Sequence, residues 1–396
     1  MRRLCVFLLL VFAFVRLQAQ PEDSLRVSVL TCTPGDQVYS LYGHTALRVE
    51  NFTRDFDLVF NYGVFDFTKP HFTWHFVLGE CDYMVMPLPW DIFVKDYVRR
   101  GSGIYAQILD LTPAETNRLQ AFLMVNCQPE NREYRYNFLY NNCTTKVRDV
   151  IEQVVNGEID YPALAHGETY RQLLHQLTKN YPWSQEGNDF LLGADVDKPL
   201  SDRESMFLPL HLMSYLDGAT LRDENGVRSL VGKKEILLQE VAVARRPSRW
   251  HSPKGLAWAF FLVNLLILLV ERSLRRKWWI YDVVLLTLQG LAGCLLAFMF
   301  FFSEHPAVGS NWLVWVFNPL PLFGAFCVAR AALKGGISRW HAFNFVVLTF
   351  FILISPLLSQ KFGQIVVPLT LVLWLRPLSY LLSGKRWKIS PLRSKV

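Results

Sequence analysis

Two regimes of hydrophobic patterning divide the chain. From residue 25 to about residue 245, apolar and polar positions alternate in short runs. From Gly255 onward they give way to long apolar stretches. In the first regime R-V-S-V-L-T (26–31) has the period of a strand and is followed by the turn T-P-G-D. V-Y-S-L-Y-G-H-T-A-L-R-V-E (38–50) predicts a second strand carrying His44. N-F-T-R-D then turns the chain, and D-L-V-F-N-Y-G-V-F-D-F (57–67) reads as the return strand of an antiparallel hairpin. C-D-Y-M-V-M-P-L (81–88) and I-Y-A-Q-I-L-D-L (104–111) predict two more strands. Between 111 and 123 the period changes to that of a helix, with Thr112 as N-cap, Pro113 at its first position and Glu115 three after the cap. A second helix opens at Cys143, since Val147, Val150, Ile151 and Val154 fall on one face and Asn142 stands where a cap belongs.

The apolar stretches run over 255–270, 278–302, 312–332, 343–358 and 365–382. Most approach or exceed the roughly 17–25 residues needed to cross a bilayer, so five antiparallel spans are expected. Lys and Arg crowd the first connection (E-R-S-L-R-R-K), the third (A-L-K-G-G-I-S-R-W-H) and the tail (G-K-R-W-K-I-S-P-L-R-S-K-V). The second (S-E-H-P-A-V-G-S-N) has none and the fourth (S-Q-K-F-G-Q) has one. Basic connections stay in the cytoplasm, so residues 20–250 are expected outside it. Trp250, Trp278, Trp279 and Trp312 fall near span ends, as interfacial anchors should. Asp282 and Arg330 lie near the cytoplasmic ends and no buried charge relay is expected, which argues against an ion-coupled transporter. Pro319, Pro321, Pro356 and Pro368 read as kinks that neighbouring helices satisfy.

Composition agrees with this division. The 396 residues are 51% hydrophobic, and the net charge of +7 is gathered beside the apolar runs, not on a face suited to nucleic acid. The opening M-R-R-L-C-V-F-L-L-L-V-F-A-F-V-R-L-Q-A-Q has two arginines, a short apolar run and Ala19 as a cleavage edge, which predicts an export signal over residues 1–19. Catalytic and membrane domains are then expected over 20–245 and 246–396. Of seven cysteines, Cys5 leaves with the signal, and Cys294 and Cys327 lie in apolar runs. If Cys143 stays a free thiol, at most one disulfide forms among Cys32, Cys81 and Cys127.

Candidate chemistry centres on two short phrases, L-Y-G-H-T-A-L-R-V and N-F-L-Y-N-N-C-T-T. A thiol in the first turn of a helix faces unpaired N–H groups and the positive end of the dipole, which favour the thiolate. His44 supplies the base that takes the thiol proton and the acid for a leaving group. A third polar group should orient the imidazole, and the return strand offers Asn61 and Tyr62. Alternation lets only one of them face His44, and Asn61 is favoured because an amide accepts from an imidazole without competing as a base. Gly43 leaves room for substrate beside the histidine, Asn142 caps the nucleophile helix, and Arg171 and Arg48 are cations able to meet phosphate or carboxylate. Arg148 with Asp149 reads as a packing ion pair. Residues 181–184 and 207–210 are candidate cleft walls. His71 and His75 are four apart but lack a carboxylate partner motif, so no metal is expected.

The phrases Y-G-H-T-A-L-R-V, F-N-Y-G-V-F-D-F, P-E-N-R-E-Y-R-Y-N-F-L-Y-N-N-C-T-T-K-V-R-D and M-F-L-P-L resemble the lipoprotein N-acyltransferases of the Bacteroides type, the Lnb family, over about residues 25–215 and the C-terminal anchor. They also resemble the permuted papain-like group that includes lecithin:retinol acyltransferase, where histidine precedes cysteine. The resemblance implies an α+β, permuted papain-like extracytoplasmic domain followed by a five-helix transmembrane bundle in the cell inner membrane. It implies acyl transfer without a cofactor. Cys143 would take an acyl chain from a membrane phospholipid as a thioester and pass it to the N-terminal amine of a diacylated lipoprotein, with the backbone N–H of Cys143 or a neighbour holding the oxyanion. Two rival readings are an anchored amidase or peptidase acting on cell-wall peptides, and a non-catalytic binding module.

Overall fold

The computed structural model describes residues 24–66, 68, 70–241 and 252–383. The expected export signal, the 245–249 basic cluster with Trp250, and the basic tail lie outside the described residues. Strands β1 (Leu25–Cys32), β2 (His44–Asn51) and β3 (Phe56–Val64) form an antiparallel meander. They are followed by α1 (Phe72–Leu78), β4 (Asp82–Pro89), α2 (Trp90–Arg100), β5 (Ile104–Leu109), α3 (Pro113–Asn126), β6 (Glu133–Arg135) and α4 (Cys143–Val154). Next come β7 (Glu158–Asp160), α5 (Tyr170–Thr178), α6 (Pro182–Leu191), the single turn α7 (Asp202–Ser205), α8 (Pro209–Gly218), β8 (Thr220–Asp223), β9 (Gly226–Ser229) and β10 (Val231–Leu238).

A seven-stranded sheet runs in the order β10-β5-β1-β2-β3-β4-β6, and β7, β8 and β9 make a small second sheet. Alternation along the central strands builds two cores. Val27, Val29, Leu47, Val49, Phe60 and Tyr62 face α3, α4 and α8, where they meet Leu119, Leu123, Val147, Ile151 and Leu216. Leu30, Cys32, Ala46, Val59 and Ala106 face the other way and pack on Phe93 and Tyr97 of α2. Both faces of the central strands are therefore covered, giving a mixed α/β domain.

The expected strand over 38–50 is shorter than its pattern suggests. Val38–Ser40 is a 3-10 turn and β2 begins at His44. Gly43 stands between them at φ +79°, and a β-carbon there would lie 2.7 Å from the Cys32 carbonyl oxygen. A left-handed, side-chain-free residue is what lets the chain reverse and then enter the strand. The α3 cap is as expected, with Thr112 and Glu115 bonded reciprocally. Helix α2 has no counterpart among the expected elements.

The membrane region holds α9 (Pro253–Leu274), α10 (Trp279–Phe302), α11 (Leu320–Leu333), α12 (Trp340–Ile354) and α13 (Val366–Leu381). Among the described residues four stretches are long and apolar enough to cross: Pro253–Leu274, Trp279–Phe302, Trp312–Leu333 and Trp340–Leu357. The fifth, α13, has 16 residues, a rise of about 24 Å against a hydrocarbon core of about 30 Å.

The expectation of no buried charge relay is overturned. Glu271, Lys277, Asp282 and Arg376 are all buried. Arg376 donates to Glu271 at 2.9 and 3.1 Å and to Asp282 at 2.5 Å, and the Tyr380 hydroxyl donates to Asp282 at 2.5 Å. Lys277 Nζ stands 3.6 Å from Glu271. The charges are balanced and mutually paired, so the network ties α9, α10 and α13 together. Sequence distance hides it, because Arg376 reaches its partners only through packing.

The two connections poor in Lys and Arg meet the α/β domain. Glu304 N donates to the Leu78 carbonyl at 2.7 Å, Asn311 Nδ2 to the Phe190 carbonyl at 2.8 Å, and the Gln364 amide to Glu186 at 2.9 Å. The α/β domain and these two connections poor in Lys and Arg thus share one side of the bundle, as the positive-inside reading requires.

Candidate active site

The start of α4 is fixed by Asn142. Its Oδ1 accepts from the amides of Thr144 (2.8 Å) and Thr145 (3.0 Å), and its Nδ2 donates to the carbonyls of Phe138 (2.8 Å) and Phe207 (2.9 Å). The Thr145 hydroxyl accepts from the Asn142 amide at 2.9 Å, closing a capping box. Cys143 therefore occupies the first position of α4, and Val147, Val150, Ile151 and Val154 anchor the helix in the core. The Thr144 hydroxyl meets that of Thr45 at 3.1 Å, pinning this turn to β2.

His44, the first residue of β2, pairs with Cys32 of β1. Leu47 of β2 pairs with Phe60 of β3. Continuing that register sets Gly63 opposite His44, with Asn61 one diagonal step away on the same face. Asn61 takes that contact: His44 Nε2 donates to its Oδ1 at 2.5 Å. Pairing of β3 with β4 shifts between Asn61 and Val64, a bulge in which Gly63 has φ +84°. A β-carbon on Gly63 would lie 3.5 Å from the Cys143 β-carbon. That is ordinary contact distance, so Cys143 lies directly alongside this turn of the strand, and it is the positive φ that calls for glycine here.

His44 and the Thr45 amide lie close enough to Cys143 to act on its thiol. Burial alone pushes the Cys143 thiol up. The charge and hydrogen bond of His44, with the Thr45 amide, outweigh it and bring the thiol below its ordinary value. Burial pushes His44 down, and Cys143 and then Asn61 more than reverse this. These shifts favour a thiolate–imidazolium pair. Cys32 is fully buried behind the pair, and burial holds its thiol far above the ordinary range.

One residue of the site has no warning in the spacing of the sequence. The Tyr134 hydroxyl is sealed from solvent and has no hydrogen-bond partner within bonding distance. It would lie 3.9 Å from a β-carbon on Gly63, the same point that Cys143 flanks. The Gly63 amide approaches it, and an N–H only donates, so the phenol proton is unspent.

Other candidates are held elsewhere. The Tyr62 ring points to the face of β3 away from Asn61, into the core on which α4 and Tyr134 pack, and its hydroxyl donates to Asn126 at 2.7 Å. Arg171 is buried and saturated: it pairs with Asp189 (2.7 Å) and Asp197 (2.8 Å) and donates to the carbonyls of Leu192 and Gly193. It knits α5 to α6 and offers nothing to a ligand. Arg48 is bidentate to Asp57 and lies 4.1 Å above the Trp90 ring. Arg148 pairs with Asp149 at 2.7 Å. His75 pairs with Glu80 at 2.7 Å. Among the described residues no three His, Cys, Asp or Glu side chains group as metal ligands, and Cys32, Cys81, Cys127 and Cys143 are free thiols.

Residues 15–176 match the family model of the Lnb N-terminal periplasmic domain, and residues 245–387 that of the Lnb transmembrane domain. The chain belongs to the Lnb family. No curated protein and no solved structure matches it. Both halves of an Lnb chain are thus present, a periplasmic domain on a multi-pass membrane region. The periplasmic match contains His44, Asn61, Tyr134 and Cys143, and the transmembrane match contains α9 to α13. The stretch between the matches carries α6 to α8 and β8 to β10, of which β10 forms one edge of the seven-stranded sheet and β8 and β9 belong to the small second sheet.

Proposed function

We propose that this Lnb chain is a lipoprotein N-acyltransferase that works through a thioester on Cys143. The observation that carries this reading is the placing of Cys143 in the first turn of α4, against the strand position opposite His44, with His44 held by Asn61, in a domain that rests on membrane helices. The Cys143 thiolate attacks the ester carbonyl of a phospholipid. A C–S bond forms, the ester C–O bond breaks, and the imidazolium of His44 gives its proton to the leaving alkoxide. In the second half, His44 takes a proton from the α-amine of an S-diacylglyceryl cysteine as the amine attacks the thioester. The C–N bond forms, C–S breaks, and the thiolate returns. Asn61 holds the imidazole in place. The Cys143 amide at the helix N-terminus and the Tyr134 hydroxyl are the donors to the oxyanion of each tetrahedral intermediate.

The histidine-then-cysteine order and the antiparallel sheet support a permuted papain-like relationship. We also assign an export signal over 1–19, a catalytic domain over 20–245 and a membrane domain over 246–396, in the inner membrane. The test is intact-mass analysis of a diacylated lipopeptide incubated with phospholipid and purified protein, beside Cys143→Ala. A gain of one acyl group with the wild type alone supports the reading. Cys143-dependent cleavage of cell-wall peptides without acyl gain would replace it with the amidase, and no Cys143-dependent change in either substrate would leave the binding module.

A further inference from the structure

A cavity of about 310 Å³ opens in the α/β domain beside α1, lined by Phe72, Phe76, Glu80, Cys81, Tyr83 and Arg135, among others. This lies at the lower end of the range for small-molecule sites, roughly 300–1,000 Å³. Its wall belongs to a continuous run of aromatic rings. Tyr136 stacks on Tyr83 at 4.2 Å, Tyr83 on Phe65 at 4.8 Å, and Phe65 on Phe72 at 6.0 Å. Phe72 is 6.2 Å from Phe76, which is 5.4 Å from His305. One end of this run lies near Cys143, since Tyr136 is two residues from Tyr134, whose hydroxyl would lie 3.9 Å from a β-carbon on Gly63, the point that the Cys143 β-carbon flanks at 3.5 Å. The other end lies at the membrane. There α1 is bonded to the α10–α11 connection through Leu78 and Phe76, and Trp74 packs 5.2 Å from Phe298 of α10.

We infer that this cavity admits the acyl chain of the donor phospholipid, which slides from the outer half of the bilayer along the aromatic run to Cys143. Continuity with α10 argues for a lipid and not a soluble peptide, because the run begins where hydrocarbon ends. The charges at the rim select among lipids. Asp66, Glu80 and Asp82 outnumber Arg135 and His75. Arg135 is already held by Asp82 and Glu304 at 2.8 Å each, and His75 by Glu80 at 2.7 Å. An anionic head group is repelled by the net negative charge there, whereas an ammonium is attracted to it. Phosphatidylethanolamine is therefore the better donor than phosphatidylglycerol.

This inference rests on the thioester reading, and the test separates the two. Full-length protein in detergent is mixed with dioleoyl-phosphatidylethanolamine, with dioleoyl-phosphatidylglycerol or with p-nitrophenyl acetate, and acyl loading of Cys143 is followed by intact mass. Phe76 is 46% exposed, so Phe76→Asp should fold while it puts a charge in the lipid path. The variant is expected to load at least about tenfold more slowly from either phospholipid and at the wild-type rate from p-nitrophenyl acetate. The wild type is expected to load faster from phosphatidylethanolamine than from phosphatidylglycerol. Equal slowing with the soluble ester, or no slowing with lipid, overturns the acyl path, and equal loading from the two lipids overturns the selection by charge. If the wild type forms no adduct with any donor, the thioester reading itself falls and takes this inference with it. A phosphatidylethanolamine carrying a diazirine in its acyl chain provides a readout independent of turnover. Labelling of residues 70–86 supports the path, and labelling confined to the membrane helices overturns it.

Discussion

His44 Nε2 lies 2.5 Å from Oδ1 of Asn61, one diagonal step across the β2–β3 pairing. A carbonyl oxygen only accepts, so this contact puts a proton on Nε2 and leaves Nδ1 for Cys143. Asn61→Ala should therefore leave the fold intact and lower the rate of thioester formation by about 10²-fold. The measurement is single-turnover loading of Cys143. An unchanged rate would remove Asn61 from the site.

The Cys143–His44 pair predicts a pH signature. The thiol sits below its ordinary value and the imidazole above its own. As pH falls through the lowered thiol value, the thiolate is protonated and alkylation slows. As pH rises through the raised imidazole value, the thiolate persists but the proton for the leaving group is lost. Acyl transfer should thus be bell-shaped in pH while alkylation by iodoacetamide stays high on the alkaline side. Burial pushes Cys81 and Cys127 up to about 11, so near neutrality Cys143 should be the thiol of the α/β domain that alkylates first. Peptide mapping checks this. His44→Ala should shift the alkylation profile to higher pH, because the largest of the effects that oppose burial is then gone.

Tyr134 should matter to the transition state and not to the thiol. Burial, and then the charge of Cys143, hold its phenol well above the ordinary range, so it stays protonated and able to donate. Tyr134→Phe keeps the ring and its packing on Tyr62 at 6.2 Å. We expect a loss of about 10²-fold in turnover with the rate of iodoacetamide alkylation unchanged. If both fall together, Tyr134 merely supports the nucleophile. If neither falls, it is not an oxyanion donor.

Arg171 is expected to be a stability residue. Removing it leaves Asp189 and Asp197 buried without their cation. Arg171→Ala should cost about 3–5 kcal/mol, read as a fall in the unfolding midpoint of the purified protein. The KM for phospholipid should not change in whatever protein stays folded. A selective rise in KM would return Arg171 to the substrate site.

Much of the architecture was legible along the chain because it depends on short periods. The alternation at 26–31, 57–67, 81–88 and 104–111 is printed residue by residue, as are the Thr112–Glu115 capping box, the Asn142 cap and the apolar runs. The side of the membrane was legible too, because Lys and Arg are counted loop by loop. What period and count leave open, tertiary structure decided. Asn61 and Tyr62 are neighbours on one strand, and only the pairing of β3 with β2 and the bulge at Gly63 turned Asn61 to the histidine and sent Tyr62 into the core. Tyr134 reads as one aromatic among many, since an unspent hydroxyl proton is a property of its surroundings. Arg171 and Arg376 look alike as isolated cations, yet their partners lie up to 26 and 105 residues away. The sequence by itself determined most of the strands, the caps of two helices and the apolar runs, because those follow from local propensity and transfer free energy, though not the start of β2 or helix α2. The site was decided by which distant residues the sheet and bundle bring within a few ångströms, because hydrogen bonds and charge pairing act only at that range.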